Sequence, residues 1–267
     1  MDSRPIGIFD SGVGGLTVAK EIRRLLPFES TIYVGDTARV PYGTKTAYEL
    51  LTFSREIIRF LLSKNVKAVV LACGTSSSTT YEQLLVDFSD LPLIDVIRPG
   101  VIACVDMLEM QKDVRFGIIA TAATIKSGLF SRLFLEKCPN ATLHSRACPL
   151  FASMVEAGIS TNHPALRFAA ENYLSDLRGE IDALILGCTH YPLLTDSLTA
   201  ILGDVKFINL GEAAAIATKE RLSNGDILAT RKNSPTHSFY VSGAADVFRA
   251  TAKLILGEDC EPVQVEW

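Results

Sequence analysis

Ala68-Val-Val-Leu-Ala-Cys-Gly-Thr75 and Ala183-Leu-Ile-Leu-Gly-Cys-Thr-His190 are two stretches of this 267-residue sequence that share one pattern. In each, a run of apolar, mostly branched residues is typical of a buried parallel strand, and a cysteine follows the run. Open α/β sheets bind their ligands at the carboxyl ends of the strands. The two stretches therefore predict that Cys73 and Cys188 approach one small molecule from opposite sides.

The chain on either side of these stretches indicates two similar halves. Ile6–Asp10 and Phe116–Ala120 are both short apolar strands, and their first residues, 6 and 116, differ by 110 positions. The two cysteines, 73 and 188, differ by 115 positions. Features that recur in order at nearly one spacing indicate a repeated unit. The predicted fold is therefore α/β, with two similar open, mostly parallel-sheet domains, and Arg98–Gly100 is the predicted crossing between them.

Local signals predict further elements. Thr31–Asp36 and Leu91–Ile97 are predicted to add two strands to the first half. Thr46–Glu49 matches a capping box, which predicts the start of a long amphipathic helix. Near the carboxyl end, Ser242 is predicted to cap a helix, and the polar segment 223–235 is predicted to be a surface loop.

The composition excludes several classes of protein. With 48% hydrophobic and 21% charged residues, the chain fits a globular α/β core and not a disordered or fibrous protein. A net charge of -4 gives no electrostatic reason to expect a nucleic-acid partner. No basic run suits a membrane surface, no apolar run is long enough to span a bilayer, and no secretory signal pattern is present. We therefore expect a cytoplasmic protein with no membrane or nucleic-acid partner.

The cysteine spacing indicates neither a zinc site nor a disulfide framework, because no Cys-x-x-Cys pair occurs. We expect no bound metal. Four of the six cysteines are interpreted as ordinary buried or half-buried thiols: Cys104, Cys138, Cys148 and Cys260.

The two remaining thiols are interpreted as acid–base groups. A free thiol titrates near pH 8.5, and the start of a helix after Cys73, with hydroxyl and N–H groups from Thr75 to Ser78, is predicted to lower its pKa. Simple helix capping is an equally good explanation for Ser77 and Ser78. Two thiolates on opposite sides of a carbon could remove a proton from one face and deliver one to the other. Such a pair would invert the centre without a cofactor.

Each of the two cysteines has a titratable companion in the sequence. Asp10 ends a neighbouring strand and could relay a proton near Cys73, while His190 lies two residues after Cys188. Taken singly, Asp10 could instead be a helix cap and His190 a hydrogen-bonded structural residue. Their joint placement at strand ends in two repeated units favours the catalytic interpretation.

The turn at Gly12-Val-Gly14 leaves a nucleotide site as an alternative, because it follows a strand and Asp36 lies at about the expected distance. However, Thr17 stands where the third glycine of the dinucleotide fingerprint belongs. Asp10 would also bring a negative charge close to a bound pyrophosphate, which is unfavourable. A structural turn or small-ligand loop is the preferred interpretation.

At this point the sequence resembles a known family, the glutamate racemases, over essentially its whole length. Aspartate racemases share the two-cysteine layout but usually carry Glu after the second Cys-Thr, where this chain has His190. The matching motifs follow in the family's order: Ile8–Thr17, Gly35–Gly43, Ala72–Thr75, Thr121–Thr124, Pro149–Gly158 and Gly187–Pro192.

The resemblance implies a cofactor-independent enzyme that interconverts L- and D-glutamate and supplies D-glutamate for peptidoglycan, and hence for cell-wall biogenesis and cell shape. It also implies a homodimer of two-domain α/β subunits, each with its active site in the cleft between the domains. Because the domains of this family exchange chain segments, residues 1–97 plus 210–267 would form one domain and residues 98–209 the other.

The resemblance also implies roles for individual residues. Cys73 would take the α-proton from D-glutamate with help from Asp10, and Cys188 would take it from L-glutamate with help from His190 and Glu156. The residues implied to contact substrate are Asp10, Ser11, Pro41, Tyr42, Gly43, Gly74, Thr75, Thr121, Thr189 and His190.

One position departs from the family pattern. The family has Asn directly after its first catalytic cysteine, whereas this chain has Gly74. Glycine removes a donor and an acceptor and is expected to loosen the backbone beside the base. Two alternatives follow from this change: a racemase of a related, aspartate-like amino acid, and a non-catalytic amino-acid-binding protein on the same scaffold.

Overall fold

The computed structural model describes residues 2–230 and 234–266, and within these ranges the strands form two sheets. The first sheet has six parallel strands in the order β10-β9-β2-β1-β3-β4 in the described residues. Its strands are β1 (Ile6–Asp10), β2 (Thr31–Gly35), β3 (Ala68–Leu71), β4 (Leu93–Asp95), β9 (His237–Val241) and β10 (Pro262–Gln264).

The second sheet repeats the central part of the first. Its four described strands, also parallel, lie in the order β6-β5-β7-β8, which matches β2-β1-β3-β4 strand for strand. The predicted α/β fold with two similar parallel sheets is thereby confirmed. These strands are β5 (Phe116–Ala120), β6 (Leu143–Ala147), β7 (Ala183–Leu186) and β8 (Lys206–Asn209).

Helices connect the strands, as parallel neighbours require. Short 3₁₀ turns lie at Tyr42–Thr44, Ser175–Leu177 and Tyr191–Leu194. The described α-helices are α1 (Leu16–Leu25), α2 (Ala47–Ser63), α3 (Gly74–Asp87), α4 (Ile97–Met110), α5 (Ala122–Ser127), α6 (Leu129–Lys137), α7 (Pro149–Glu156), α8 (Pro164–Leu174), α9 (Thr195–Leu202), α10 (Leu210–Asn224) and α11 (Ala245–Leu256).

One apolar core joins the two sheets. Ile8 of β1 and Ile118 of β5 both belong to it, together with side chains of α4 and α10. The neighbouring residues Phe9 and Ile119 point to the opposite faces of their sheets and belong to separate cores. Because both faces of each sheet are covered, the central strands are apolar throughout. This shared core holds the two strand-end edges close together.

The alignment of strand ends places the two cysteines. Phe9 of β1 pairs with Leu71 of β3, and Ile119 of β5 pairs with Leu186 of β7. Cys73 and Cys188 therefore both follow the end of a central strand, at the carboxyl edge of its sheet.

The predicted helix start at Thr46 is confirmed. The Thr46 side chain accepts a hydrogen bond from the Glu49 amide at 3.2 Å, and the Glu49 carboxylate accepts one from the Thr46 amide at 2.8 Å. These reciprocal bonds satisfy two backbone donors that the first turn of α2 would otherwise leave unpaired.

The fourth strand is shorter than predicted, because Asp95 turns the chain into α4. The Asp95 carboxylate accepts hydrogen bonds from the amides of Ile97 and Arg98 at 2.6 and 2.9 Å. Arg98–Gly100 consequently lie in the first turn of α4, where proline is tolerated. The chain passes from the first sheet to the second through this helix. Dividing the domains into residues 1–97 plus 210–267 and residues 98–209 remains a proposal.

The prediction that Ser242 caps the last helix is wrong. Ala244 is the N-cap of α11, and the Ser242 hydroxyl instead donates to the Asp36 carboxylate at 2.7 Å. In the polar segment 223–235, α10 continues to Asn224, and residues 231–233 lie outside the described part. No helix in the described ranges combines the length and apolarity needed to cross a membrane.

Candidate active site

Cys73 and Cys188 both line a cavity of about 260 Å³, one from the end of each sheet. Except for Asp10, every residue predicted to act on or hold the substrate lines it. The lining residues are Ser11, Val40, Pro41, Tyr42, Gly43, Cys73, Gly74, Thr75, Thr121, Ala152, Ser153, Glu156, Gly187, Cys188, Thr189 and His190.

Asp10 is not part of the cavity lining and is completely buried. Its carboxylate accepts hydrogen bonds from the amides of Gly12 and Gly15 at 3.1 and 3.0 Å, and the Thr189 hydroxyl donates to it at 3.4 Å. Burial raises the pKa of Asp10, and the His190 charge and the two amides oppose this effect. Asp10 therefore organises the loop after β1 and interacts with Cys73 through charge.

A hydrogen-bonded chain supports the second cysteine. The Cys188 sulfur lies 3.5 Å from Nδ1 of His190, and Nε2 of His190 lies 2.7 Å from Oε1 of Glu156. The Val13 amide donates to the same Glu156 oxygen at 3.2 Å, so the carboxylate joins α7 to the loop after β1. His190 is thereby held between a sulfur and a carboxylate.

The charges of this chain are set by its hydrogen bonds. Burial alone would lower the pKa of His190, but its hydrogen bonds to Cys188 and Glu156 raise it well above the ordinary value of 6.5. Burial alone would raise the pKa of Glu156, but the hydrogen bond and charge of His190 lower it below 4.5. The pair is therefore an imidazolium and a carboxylate at neutral pH.

Gly14 permits this arrangement because it leaves room for the histidine. A Cβ at this position would lie 2.5 Å from Nδ1 of His190 and equally close to the Thr189 hydroxyl. The glycines of the loop after β1 thus admit a side-chain network from the other sheet, which favours the small-ligand loop over the nucleotide site.

The prediction that the helix start lowers the pKa of Cys73 is wrong for the free chain. Cys73 is the N-cap of α3, but burial and the charge of Asp10 raise the pKa of its thiol to about 12. The backbone amide of Ser76 acts in the opposite direction and is outweighed. The Cys73 sulfur lies 3.8 Å from the Ser11 hydroxyl.

Three threonine hydroxyls meet between α3 and α5, and two of these residues, Thr75 and Thr121, line the cavity. Thr121 lies 3.0 Å from both Thr75 and Thr124, and Thr75 lies 3.5 Å from Thr124. Each hydroxyl can donate or accept, so the cluster can turn donors toward an anionic group. Thr124 was absent from the predicted contacts, although its motif Thr121–Thr124 was recognised.

The loop containing Pro41, Tyr42 and Gly43 is anchored by a buried carboxylate. Asp36 accepts hydrogen bonds from Arg39 and Ser242, each at 2.7 Å, and a short one from the Tyr42 hydroxyl. Tyr42 therefore lines the cavity with its hydroxyl already bonded to Asp36.

Other lining residues were missed by sequence reasoning. Ala152 and Ser153 precede Glu156 by four and three residues on α7, and residues at these spacings share one helix face. The helical position of Glu156 was therefore a usable signal. Val40 and Gly187 adjoin predicted residues in the chain.

Gly74 lies close to the turn after β7. It is buried at the start of α3, and a Cβ there would lie 2.6 Å from the carbonyl oxygen of Gly187. A side chain at this position would push apart the turns that carry Cys73 and Cys188.

The described residues contain no group of three or more His, Cys, Asp or Glu side chains that could hold a metal ion.

Comparisons with known proteins agree on one family. The profile described as Asp/Glu/Hydantoin racemase matches residues 6–218. The chain is 41% identical over 265 residues to glutamate racemase 2 of Caldanaerobacter subterraneus subsp. tengcongensis, covering 98% of this chain and 97% of the relative. It is 40% identical over 254 residues to the glutamate racemase of Lactococcus lactis subsp. cremoris, covering 95% and 92%. The structure of Francisella tularensis glutamate racemase in complex with D-glutamate matches with a TM-score of 0.90 at 38% identity, covering 100% of this chain and 98% of that one.

Removing the carboxylate next to His190 should produce a pH-dependent loss of stability. We expect Glu156→Gln to lower the free energy of unfolding by about 2 kcal/mol between pH 4.5 and 6.5. Because the pKa of His190 is raised in the folded chain, this difference should vanish as pH rises from 6.5 through that pKa. Because the pKa of Glu156 is lowered, it should also vanish as pH falls from 4.5. Urea unfolding of both proteins at a series of pH values measures this difference in the free energy of unfolding.

Glu171→Gln provides the matched control for this experiment. Glu171 pairs with Arg178 at 3.3 Å, but both side chains are about half exposed. Its loss should change the free energy of unfolding by less than about 1 kcal/mol, with no dependence on pH around neutrality. An equal loss at every pH for Glu156→Gln would contradict the assigned charges.

Proposed function

The chain belongs to the Asp/Glu/Hydantoin racemase family, and from this premise we propose that it interconverts L- and D-glutamate, with Cys73 and Cys188 as its two bases. The observation that carries the proposal is that these thiols, one from each sheet, line one cavity. Its volume of about 260 Å³ is below the roughly 300–1,000 Å³ of drug-sized pockets, which suits a small amino acid.

The proposed reaction moves two protons and needs no redox partner. With L-glutamate bound, the Cys188 thiolate takes the α-proton and the Cys73 thiol donates its own proton to the opposite face. The product is D-glutamate, and the two cysteines have exchanged protonation states. The reverse reaction uses Cys73 as the base and Cys188 as the acid, so each direction leaves the chain ready for the other.

The Cys188 side of the site is supported by a complete proton-handling chain. His190 is protonated at neutral pH and its Nδ1 lies 3.5 Å from the sulfur, where a positive charge stabilises a thiolate. Glu156 holds the ring by Nε2 and balances its charge. We assign His190 and Glu156 to the activation of Cys188.

The Cys73 side requires the substrate to complete it. In the free chain, burial and Asp10 keep the pKa of this thiol at about 12, so little thiolate is present at neutral pH. The α-ammonium group of a bound amino acid would bring a positive charge into the cavity, and a nearby opposite charge lowers the pKa of a thiol. Asp10, whose own pKa is raised by burial, is assigned to proton exchange with Cys73.

We assign recognition of the two carboxylates of glutamate to neutral hydrogen-bond donors. The described lining includes no Lys or Arg side chain, but it includes the hydroxyls of Ser11, Thr75, Thr121 and Thr189. Gly74 and Thr75 also lie at the amino end of the 14-residue α3, whose free N–H groups favour an anion. Pro41–Gly43 would close the site with backbone contacts.

The biological setting remains a prediction. From the sequence and its family resemblance, we infer that the enzyme supplies D-glutamate for peptidoglycan, and hence for cell-wall biogenesis and cell shape. We also infer a cytoplasmic homodimer that needs no cofactor. The similar sheets support the proposed domains, 1–97 plus 210–267 and 98–209.

The two thiols should be individually indispensable. We expect Cys73→Ser and Cys188→Ser each to lower kcat/KM for glutamate racemisation by about 10²–10⁴-fold, because a hydroxyl is too weak a base. Circular dichroism of L- and D-glutamate measures the rates. In deuterium oxide the unaltered protein should place deuterium at Cα without an added cofactor. Cys138→Ser, at a thiol outside the cavity, should retain normal activity.

A substrate panel separates the alternatives raised by Gly74. We expect L-glutamate to lose its optical activity when incubated with the protein, and L-aspartate and L-glutamine to keep theirs. Racemisation of L-aspartate alone would select the aspartate-like alternative. Calorimetric binding of glutamate with no exchange at Cα would select a non-catalytic binding protein.

Side chains at position 74 should be harmful, because the Gly187 carbonyl occupies their space. We expect Gly74→Ala to lower kcat/KM by about 10²-fold through displacement of the two cysteine turns. Gly74→Asn should be at least as damaging, although it restores the family residue. Thr79→Ala, at an exposed position of α3, is the control. A faster Gly74→Asn variant would show that the lost amide matters more than the close contact.

A further inference from the structure

Three serines follow Cys73 and Thr75 at the start of α3, and they differ in what their hydroxyls contact. Ser77 donates to the Leu71 carbonyl at 2.9 Å, and Ser78 donates to the Thr75 carbonyl at 3.1 Å. Ser76 is completely buried, yet its hydroxyl forms no hydrogen bond of normal geometry within residues 2–230 and 234–266. A buried hydroxyl without a partner is unfavourable and calls for an explanation.

The position of Ser76 relative to Cys73 explains why this hydroxyl has no partner. Cys73 is the N-cap of α3 and Ser76 is the third helical residue, whose amide is a usual donor to an N-cap side chain. Burial raises the pKa of the Cys73 thiol, while the Ser76 amide and hydroxyl, which lie near the sulfur, act in the opposite direction. The contact falls short of normal hydrogen-bond geometry while the sulfur is a neutral thiol.

We propose that Ser76 is a positioning residue for Cys73, donating hydrogen bonds from its hydroxyl and its amide to the sulfur once the thiol has lost its proton. This rests on the proposed function, in which Cys73 takes the α-proton from D-glutamate. A thiolate is a stronger acceptor than a thiol. The Ser76 hydroxyl therefore gains its partner only in the reactive state, which favours that state over the resting one.

The other titratable groups that face the Cys73 sulfur act differently. Asp10 and Cys188 raise its pKa through their negative charges, and Tyr33 and Tyr42 are themselves affected by its charge. None of these groups is altered by a substitution at Ser76. A change in Cys73 reactivity after such a substitution therefore reports on the serine.

The test is Ser76→Ala, with the alkylation rate of each cysteine by iodoacetamide followed against pH by peptide mass spectrometry. We expect alkylation of Cys73 to become about tenfold slower at any pH below its pKa, so that its profile moves up by roughly one pH unit. Cys188 in the same molecules should keep its profile. The turnover number for D-glutamate should fall by a similar factor with little change in KM, because the serine does not line the cavity.

Stability and a second variant separate this role from a structural one. Ser76→Ala removes a hydroxyl without a partner, so the urea midpoint should be unchanged or higher, and a lower midpoint would overturn the proposal. Ser78→Ala should leave both alkylation profiles and turnover unchanged. An unmoved Cys73 profile in Ser76→Ala would also refute the role of Ser76. The two-base mechanism fails separately, if Cys73→Ser still racemises glutamate.

Discussion

The close approach of two backbones, at Gly74 and Gly187, is the constraint on which this cavity depends. A Cβ on Gly74 would meet the Gly187 carbonyl at 2.6 Å, and a Cβ on Gly187 would meet the Ile119 carbonyl at 2.7 Å. Interiors packed this closely do not absorb an added atom without a shift. In this chain, the turns that follow β3 and β7 approach each other with no side chain at these two points. Cys73 and Cys188, which follow these strands, both line one small cavity.

The second link between the sheets is polar. Glu156 connects α7 to His190 and to the amide of Val13 in the loop after β1. The same loop is held from below by the buried Asp10 carboxylate, which also receives the Thr189 hydroxyl. Hydrogen bonds to charged groups are stronger and more directional than neutral ones. The groups proposed to manage protons thus also fix the relative position of the strand ends.

The two proposed bases have different charged neighbours. The Cys188 sulfur lies 3.5 Å from Nδ1 of His190, whose pKa is raised well above its ordinary value. At Cys73, burial and the charge of Asp10 raise the pKa of the thiol. The free chain is therefore asymmetric, although its two sheets repeat one strand order. During the reaction, the positive charge of the substrate and the hydrogen-bond donors of Ser76 would stabilise the Cys73 thiolate.

The sequence alone determined the α/β fold, the strand-end positions of Cys73 and Cys188 and the capping box at Thr46, because strand periodicity and helix capping depend on residues a few positions apart. The family motifs, which follow in the expected order along the chain, added the residues of the candidate site. Tertiary structure alone decided the pKa of Cys73, the engagement of Ser242 with a carboxylate 206 residues away, and the contact that excludes a side chain at Gly74. Desolvation, distant hydrogen bonds and backbone packing depend on which remote segments the fold brings together, and local sequence carries no measure of them.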